Sequence, residues 1–486
     1  MKRVYAFAVL LAASAACSTA PPEQQIVNDA ASALGGRDKI LAARTIVIEG
    51  EGINGNLGQD MTPEATGQQF NVTGYTRTID VAAGQARIEQ TRTPNFAYFQ
   101  GAQPQKQVFG VAGDVGYNVA ANGNATRASN AVAKDRRAEI FHHPITIVRA
   151  ALDPAAKLTN PRTAGNESVV EVTTANGLAF TLAVDGTTKL PTRVVSMTDN
   201  PNLGDVAIET SFADYQDVSG LKLPAHLTTK TDKYTTIDMR ATKQTVDGPV
   251  GNLAAPDAAA SAAAVTGPPP ATVTTEEVAK GVWLLAGQSH HSVVVEFSDH
   301  LVLIEAPQND TRALAVIAKA RELRPNKPLT HVVNTHHHFD HSGGVRAAVS
   351  EGLAVITQKA NAQFFQDAVA RAHTIAPDAL AKNPKPLKLE VVDDAMELTD
   401  STMTVQLYHI DGNPHGDAML MAYLPKERIL VEVDAFSPGA PVQPYAANLL
   451  ENITKRNLRV ERIVPLHGTI APFSDLAKTQ VRATND

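Results

Sequence analysis

The chain has 486 residues, 43% of them hydrophobic and 19% charged, and a formal net charge of −7. That composition excludes a disordered or fibrous chain, and the length leaves room for two or three domains that each bury a core. No basic run offsets the mild acidic excess, which argues against a nucleic-acid surface.

Residues 1–17 read as an export signal. Met1-Lys2-Arg3 supplies a positive start, Val4 to Ala13 an apolar stretch of signal length, and Ser14-Ala15-Ala16 the small residues before Cys17. Cys17 is the only cysteine, so no intramolecular disulfide is expected. It stands where a bacterial lipoprotein signal places its lipidated residue. The expectation is an exported protein of the cell envelope or periplasm, held at the membrane by an acylated Cys17 rather than by a spanning helix. An ordinary secretory signal cleaved near Ala16 is the alternative.

Residues 22–250 are expected to form a mostly-β N-terminal domain. A short helix, Gln24 to Leu34, precedes successive strands and turns. Ser168 to Thr173, then Asn176-Gly177, then Leu178 to Val184 predicts a hairpin, because Asn-Gly accepts the positive φ angles of a two-residue turn. Strand-like runs continue over Val206 to Phe212 and Lys233 to Thr245. His142-His143 reads as a surface pair, since no third ligand lies near it in sequence. The segment Phe212 to Pro224 resembles the closing strands of lipoprotein-carrier-like half-barrels. That resemblance implies a concave sheet able to hold an acyl chain; a spacer or substrate-screening role is the preferred reading.

Residues 251–272 read as a linker. The Ala-rich run Ala258 to Ala264 offers little to bury, and Pro268-Pro269-Pro270 stiffens the exit. Residues 273–486 then alternate strands and helices, as an α/β domain does. Three strands lie within Gly281 to Ile304, followed by a helix at Thr311 to Leu323. A strand ends near Thr335, a helix runs over Gly344 to Ser350, and later strands cover Met403 to His409, Ala418 to Tyr423 and Arg428 to Val433.

The histidines are unevenly placed: of 15, only His142, His143 and His226 precede residue 250. Four candidate ligands, His336, His338, Asp340 and His341, crowd into the six residues His336-His337-His338-Phe339-Asp340-His341. This run sits on a strand-to-helix loop, where imidazole and carboxylate suit zinc or a similar divalent ion. Downstream, His415, Asp434 and His467 each follow a predicted buried strand, where a rigid scaffold presents chemistry.

These motifs, with Gly412-Asn413-Pro414-His415-Gly416-Asp417 and Leu466-His467-Gly468, resemble the metallo-β-lactamase superfamily over residues 273–486. The resemblance implies an αββα sandwich with two zinc ions between its sheets. His336, His338 and His415 would hold one ion, Asp340, His341 and His467 the other, and Asp434 would bridge them. Two cations would acidify a shared water, whose hydroxide attacks an ester, lactone, thioester or amide carbonyl. Asp340 would ligate and orient that nucleophile. His337, His290 and His291 are expected to line the substrate mouth, and Glu305 to support a ligand imidazole.

Departures from subfamilies narrow the substrate, expected to be a small molecule. No cysteine is available as a ligand, and only 19 residues follow His467, too few for a glyoxalase-II-like helical domain. Ala435-Phe436-Ser437 follows Asp434 where lactonase-like relatives often carry Tyr. A true β-lactamase with all-His/Asp ligands and a non-catalytic lipid-binding envelope lipoprotein are the alternative functions.

Overall fold

The computed structural model describes residues 20–483; the stretch 1–17 expected to be a signal, with Cys17, lies outside them. Among the described residues, strands form three sheets of thirteen, seven and six, and no helix is long and apolar enough to cross a membrane.

The thirteen-stranded sheet is antiparallel and belongs to the N-terminal half. One meander runs from Thr45–Gly55 to Ala125–Arg127, a second from Lys157–Ala164 to Tyr234–Val246. They become one sheet because Thr45–Gly55 pairs with Tyr234–Val246 over the register Ile46↔Val246 to Asn54↔Ile237. Inward residues from both arms, such as Val72 and Ile88 on one and Leu182 and Phe212 on the other, share a core with Ile145 and Val148 of the helix Pro144–Ala151. Strands far apart in sheet order therefore bend round the same helices. A cavity of about 560 Å³ remains under the bend, lined by apolar Ile48, Phe180, Leu227 and Met239 and by Arg77 and His142.

Three expectations for this half need correction. His142 and His143 are buried, not a surface pair: His142 hydrogen-bonds Thr210 and Ser196, both at 2.9 Å, and His143 Nδ1 accepts from Ile145 N at the start of its helix. The predicted hairpin forms from Glu167–Thr173 and Ala179–Asp185, but with a longer turn. Only Gly177 takes a positive φ, and Gly177 N donates to Thr174 O while Thr174 N donates to Leu178 O. That pattern is a three-residue loop, in which glycine alone carries the left-handed position. Finally, the Ala-rich run packs: Asp257–Ala260 is helical, Ala259 is fully buried, and Arg127 donates to Ala262 O.

In the C-terminal half the seven-stranded sheet runs from Thr274–Ala279 to Leu389–Val392, its first four strands antiparallel and the rest parallel. Its middle strand, Leu301–Ile304, is apolar throughout because both faces are covered. Val293, Val295, Val302 and Ile304 point into a core shared with the six-stranded sheet, through Leu407, Met421 and Val431. Val294, Leu301 and Leu303 point the other way, onto Val316 and Ile317 of the helix Asp310–Leu323 and onto Ala347 and Phe365. This period-two alternation sets the two sheets face to face. It also brings the ends of Leu329–Val333, Ile429–Glu432 and Arg462–Pro465 together, so that the candidate ligands that follow them meet.

Candidate metal centre

The seven residues read as ligands converge from loops at strand ends of both sheets. The segment 334–338 follows the strand Leu329–Val333 and is tied across to the second sheet by Leu420 N donating to Thr335 O at 2.9 Å. His338 caps the short helix Phe339–Ser342, which carries Asp340 and His341. His415 precedes the strand Met419–Leu424, Asp434 follows Ile429–Glu432, and His467 follows Arg462–Pro465.

Potential ligand atoms gather in two groups, each within 4.8 Å: His336, His338, His415 and Asp434 in one, and His290, Asp340, His341 and His467 in the other. Asp434 faces both. Its Oδ2 lies 3.4 Å from His336 Nε2, 3.1 Å from His415 Nε2 and 2.9 Å from His341 Nε2, and its Oδ1 lies 3.0 Å from His467 Nε2. His290, expected to line the mouth, instead stands in the second group and donates from Nε2 to Asp340 Oδ2 at 3.0 Å.

The donor set fits divalent cations. His338 Nδ1 is buried without a hydrogen bond, and His336 Nε2 and His415 Nε2 are buried 3.4 and 3.1 Å from Asp434 Oδ2 without hydrogen-bond geometry. Leaving buried imidazole nitrogens without a hydrogen bond is costly unless a cation takes their lone pairs. Burial pushes the His336 imidazole down to about 3, with the neighbouring His341 adding to the effect, and burial likewise holds His338 well below its ordinary value. Neutral imidazole is the form that binds a metal. The carboxylate side behaves oppositely. Burial opposes charge on His341, but the Asp434 and Asp340 carboxylates outweigh it and hold that imidazole well above its usual value. The same attraction, led by His467, keeps Asp434 well below the ordinary carboxylate range against its burial.

Supporting contacts orient the rings. His467 Nδ1 donates to Ser289 O at 2.8 Å, and His341 Nδ1 lies 3.7 Å from Glu305 Oε2, beyond a hydrogen bond but on the expected side. Glu305 is fully buried and also accepts from Thr335 N at 2.6 Å. His291 donates from Nε2 to Gly468 O at 3.0 Å and accepts at Nδ1 from Gly287 N, so it ties two loops together. His337 is buried outside both groups, its ring centroid 6.0 Å from that of Phe364 and both nitrogens unpaired.

Sequence reasoning missed several neighbours. Tyr445 packs 4.9 Å from the His415 ring, with its hydroxyl donated to Ala97 O at 2.7 Å. Gln59 Nε2 donates to Asp340 Oδ1 at 2.6 Å, and Asp60 O accepts from His338 Nε2 at 2.9 Å. These partners lie roughly 280 to 350 positions away along the chain, and no local signal marks them.

Residues 286–431 match the family model of the metallo-beta-lactamase superfamily, so the resemblance carried by the hexapeptide and the His415 loop stands. The likeness covers residues 286–431 of the C-terminal part, and members of that superfamily are generally hydrolases. Asp434 and His467 lie beyond the matched range and are tied to it by the distances above. No curated protein matches the chain. Among solved structures, the chain is similar to a metallo-beta-lactamase from Pontibacter korlensis, at 17% identity and a TM-score of 0.35, covering 44% of this chain and 100% of that one. It is also similar to the FIM-1 metallo-beta-lactamase from Pseudomonas aeruginosa in its mono-zinc form, at 18%, 0.35, 44% and 98%. A metallo beta lactamase from Hirschia baltica gives 16%, 0.32, 43% and 96%.

Proposed function

We propose that this chain is an exported hydrolase with a dinuclear zinc centre, acting on an ester, lactone, thioester or amide of a small molecule. The observation that carries the proposal is the Asp434 carboxylate, within 3.4 Å of His336, His415, His341 and His467. A carboxylate shared by two ligand groups is the arrangement that suits a pair of cations. The core common to the two sheets, with a helix on the far side of the first, supports an αββα sandwich around that centre.

Two divalent ions, when bound, would supply a nucleophilic water near neutral pH and Lewis acidity toward the acyl oxygen. His336, His338 and His415 would hold one ion; Asp340, His341 and His467 would hold the other, with His290 beside them. Asp340 stays ionised, because His341 and the His290 hydrogen bond overcome its burial and keep it far below the ordinary carboxylate range. It is therefore a weak base, and orients water by position and charge instead.

The non-catalytic alternative, a lipid-binding envelope lipoprotein, has the 560 Å³ N-terminal cavity in its favour. Envelope anchoring through an acylated Cys17 is compatible with either function. Native mass spectrometry of the full chain, purified from membranes, tests both points. The expected mass includes about two zinc ions per chain and an acyl modification at Cys17. No bound metal after zinc reconstitution removes the hydrolase, and an unmodified Cys17 removes the anchor.

A further inference from the structure

Resting on the dinuclear reading, we infer that residues 56–68 of the N-terminal half are a working part of the metal centre, setting the orientation of His338 and Asp340. This loop joins the strands Thr45–Gly55 and Gln69–Asp80 and lies across the loops that carry the ligands. Gly58 O accepts from Phe339 N at 3.0 Å, and Met61 O from Asp417 N at 2.9 Å. Between them come the two contacts to ligand side chains. Gln59 donates to Asp340, and the Asp60 carbonyl accepts from His338.

The chemistry of each contact is specific. A carbonyl oxygen can only accept, so His338 carries its proton on Nε2 and keeps the Nδ1 lone pair free. That Nδ1 is buried without a hydrogen bond, and His338 belongs to the first ligand group. On Asp340, Gln59 occupies Oδ1 while His290 approaches Oδ2, and Oδ2 is the oxygen turned toward His341, 3.7 Å away. The two donors fix the carboxylate plane, which would otherwise rotate about its terminal torsion.

The loop is itself rigidly held. The Asp60 carboxylate, buried at 6% exposure, accepts from Met61 N and Gln68 N, both at 2.7 Å, and Asn56 Nδ2 donates to Gln59 O. Its close approach depends on Gly58, which adopts φ +71°; a Cβ there would lie 2.3 Å from the Phe339 ring. A mere packing contact between halves would not need both ligand-directed donors and acceptors. Partners of this kind typically change metal affinity by about 10–100-fold.

Cobalt(II) titration of the full-length protein, followed by its visible spectrum and by competition with a chromophoric chelator, tests the inference. Gln59→Met keeps the side-chain length and removes the donor. The second equivalent should bind about 10–100-fold more weakly, with an altered cobalt spectrum and a melting temperature close to that of the unmodified protein. Gly58→Ala should displace the whole loop and weaken both equivalents; if it fails to fold, Gln59→Met decides alone. Unchanged affinities and spectra in Gln59→Met overturn the inference even if stability falls. If the unmodified chain takes up no metal, the dinuclear reading fails as well, whereas two tight equivalents with an indifferent Gln59 remove the loop's role alone.

Discussion

Asp434 combines a demanding position with a demanding backbone. Its φ is +51°, and Glu305 and Gln308 beside the site stand at +69° and +68°. Left-handed backbone costs a side-chain-bearing residue roughly 1–3 kcal/mol and persists where surroundings impose it, often at functional sites. Asn tolerates this region as well as Asp does, so Asp434→Asn separates charge from backbone. We expect it to lower turnover on the order of 10²-fold or more while the melting temperature stays within a few degrees. Full activity in Asp434→Asn would remove the bridging role. At this scale the ligand-type residues were readable, because H-x-H-x-D-H spacing and strand-end positions are local properties. His290 was readable only as a histidine on a loop, since its partner Asp340 comes 50 residues later.

Among the elements, the helix Pro144–Ala151 and the strands around it form an apolar core that buries two histidines. Burial, aided by the positive Arg77, pushes both His142 and His143 down to about 3. The unfolded chain binds a proton at each near pH 6.5 while the native state does not. Their contribution is therefore fully present above about pH 6.5 and is lost as pH falls toward 3, at about 1.4 kcal/mol per pH unit for each group. His142→Gln, which can still reach Thr210 and Ser196, should flatten the pH dependence of urea stability between pH 4 and 6 by about that slope. An identical slope in the variant contradicts the burial account. The alternating apolar pattern made the hairpin of Glu167–Thr173 and Ala179–Asp185 legible. The burial of His142 was not, because its neighbours Thr210 and Ser196 arrive from strands more than 50 residues away.

Across the whole molecule, the two halves are joined by more than the linker. Arg371 pairs with Asp232 at 2.7 Å and donates to Leu203 O, while Asp205 accepts from Thr374 N and Ile375 N, each at 3.0 Å. Asn202 donates to Ser342, next to the ligand loop, at 2.5 Å. Contacts of this kind couple domain motions only if they are jointly maintained. Combining Arg371→Ala with Asp205→Ala should weaken the coupling between the halves, although solvent screens part of each contact. Calorimetry should then show two separated transitions, and a single transition at an unshifted midpoint would argue that the halves are coupled elsewhere. The mostly-β character of the first half, the α/β character of the second and its superfamily resemblance could be read along the chain, since each rests on periodicity or on ligands spaced within a few residues. Tertiary structure alone decided that strands from two meanders close into one sheet, that His290 joins the second ligand group, and that a loop from the first half reaches Asp340 and His338. Those contacts depend on which strand ends meet in space, and side chains hundreds of positions apart leave no periodic trace of their meeting.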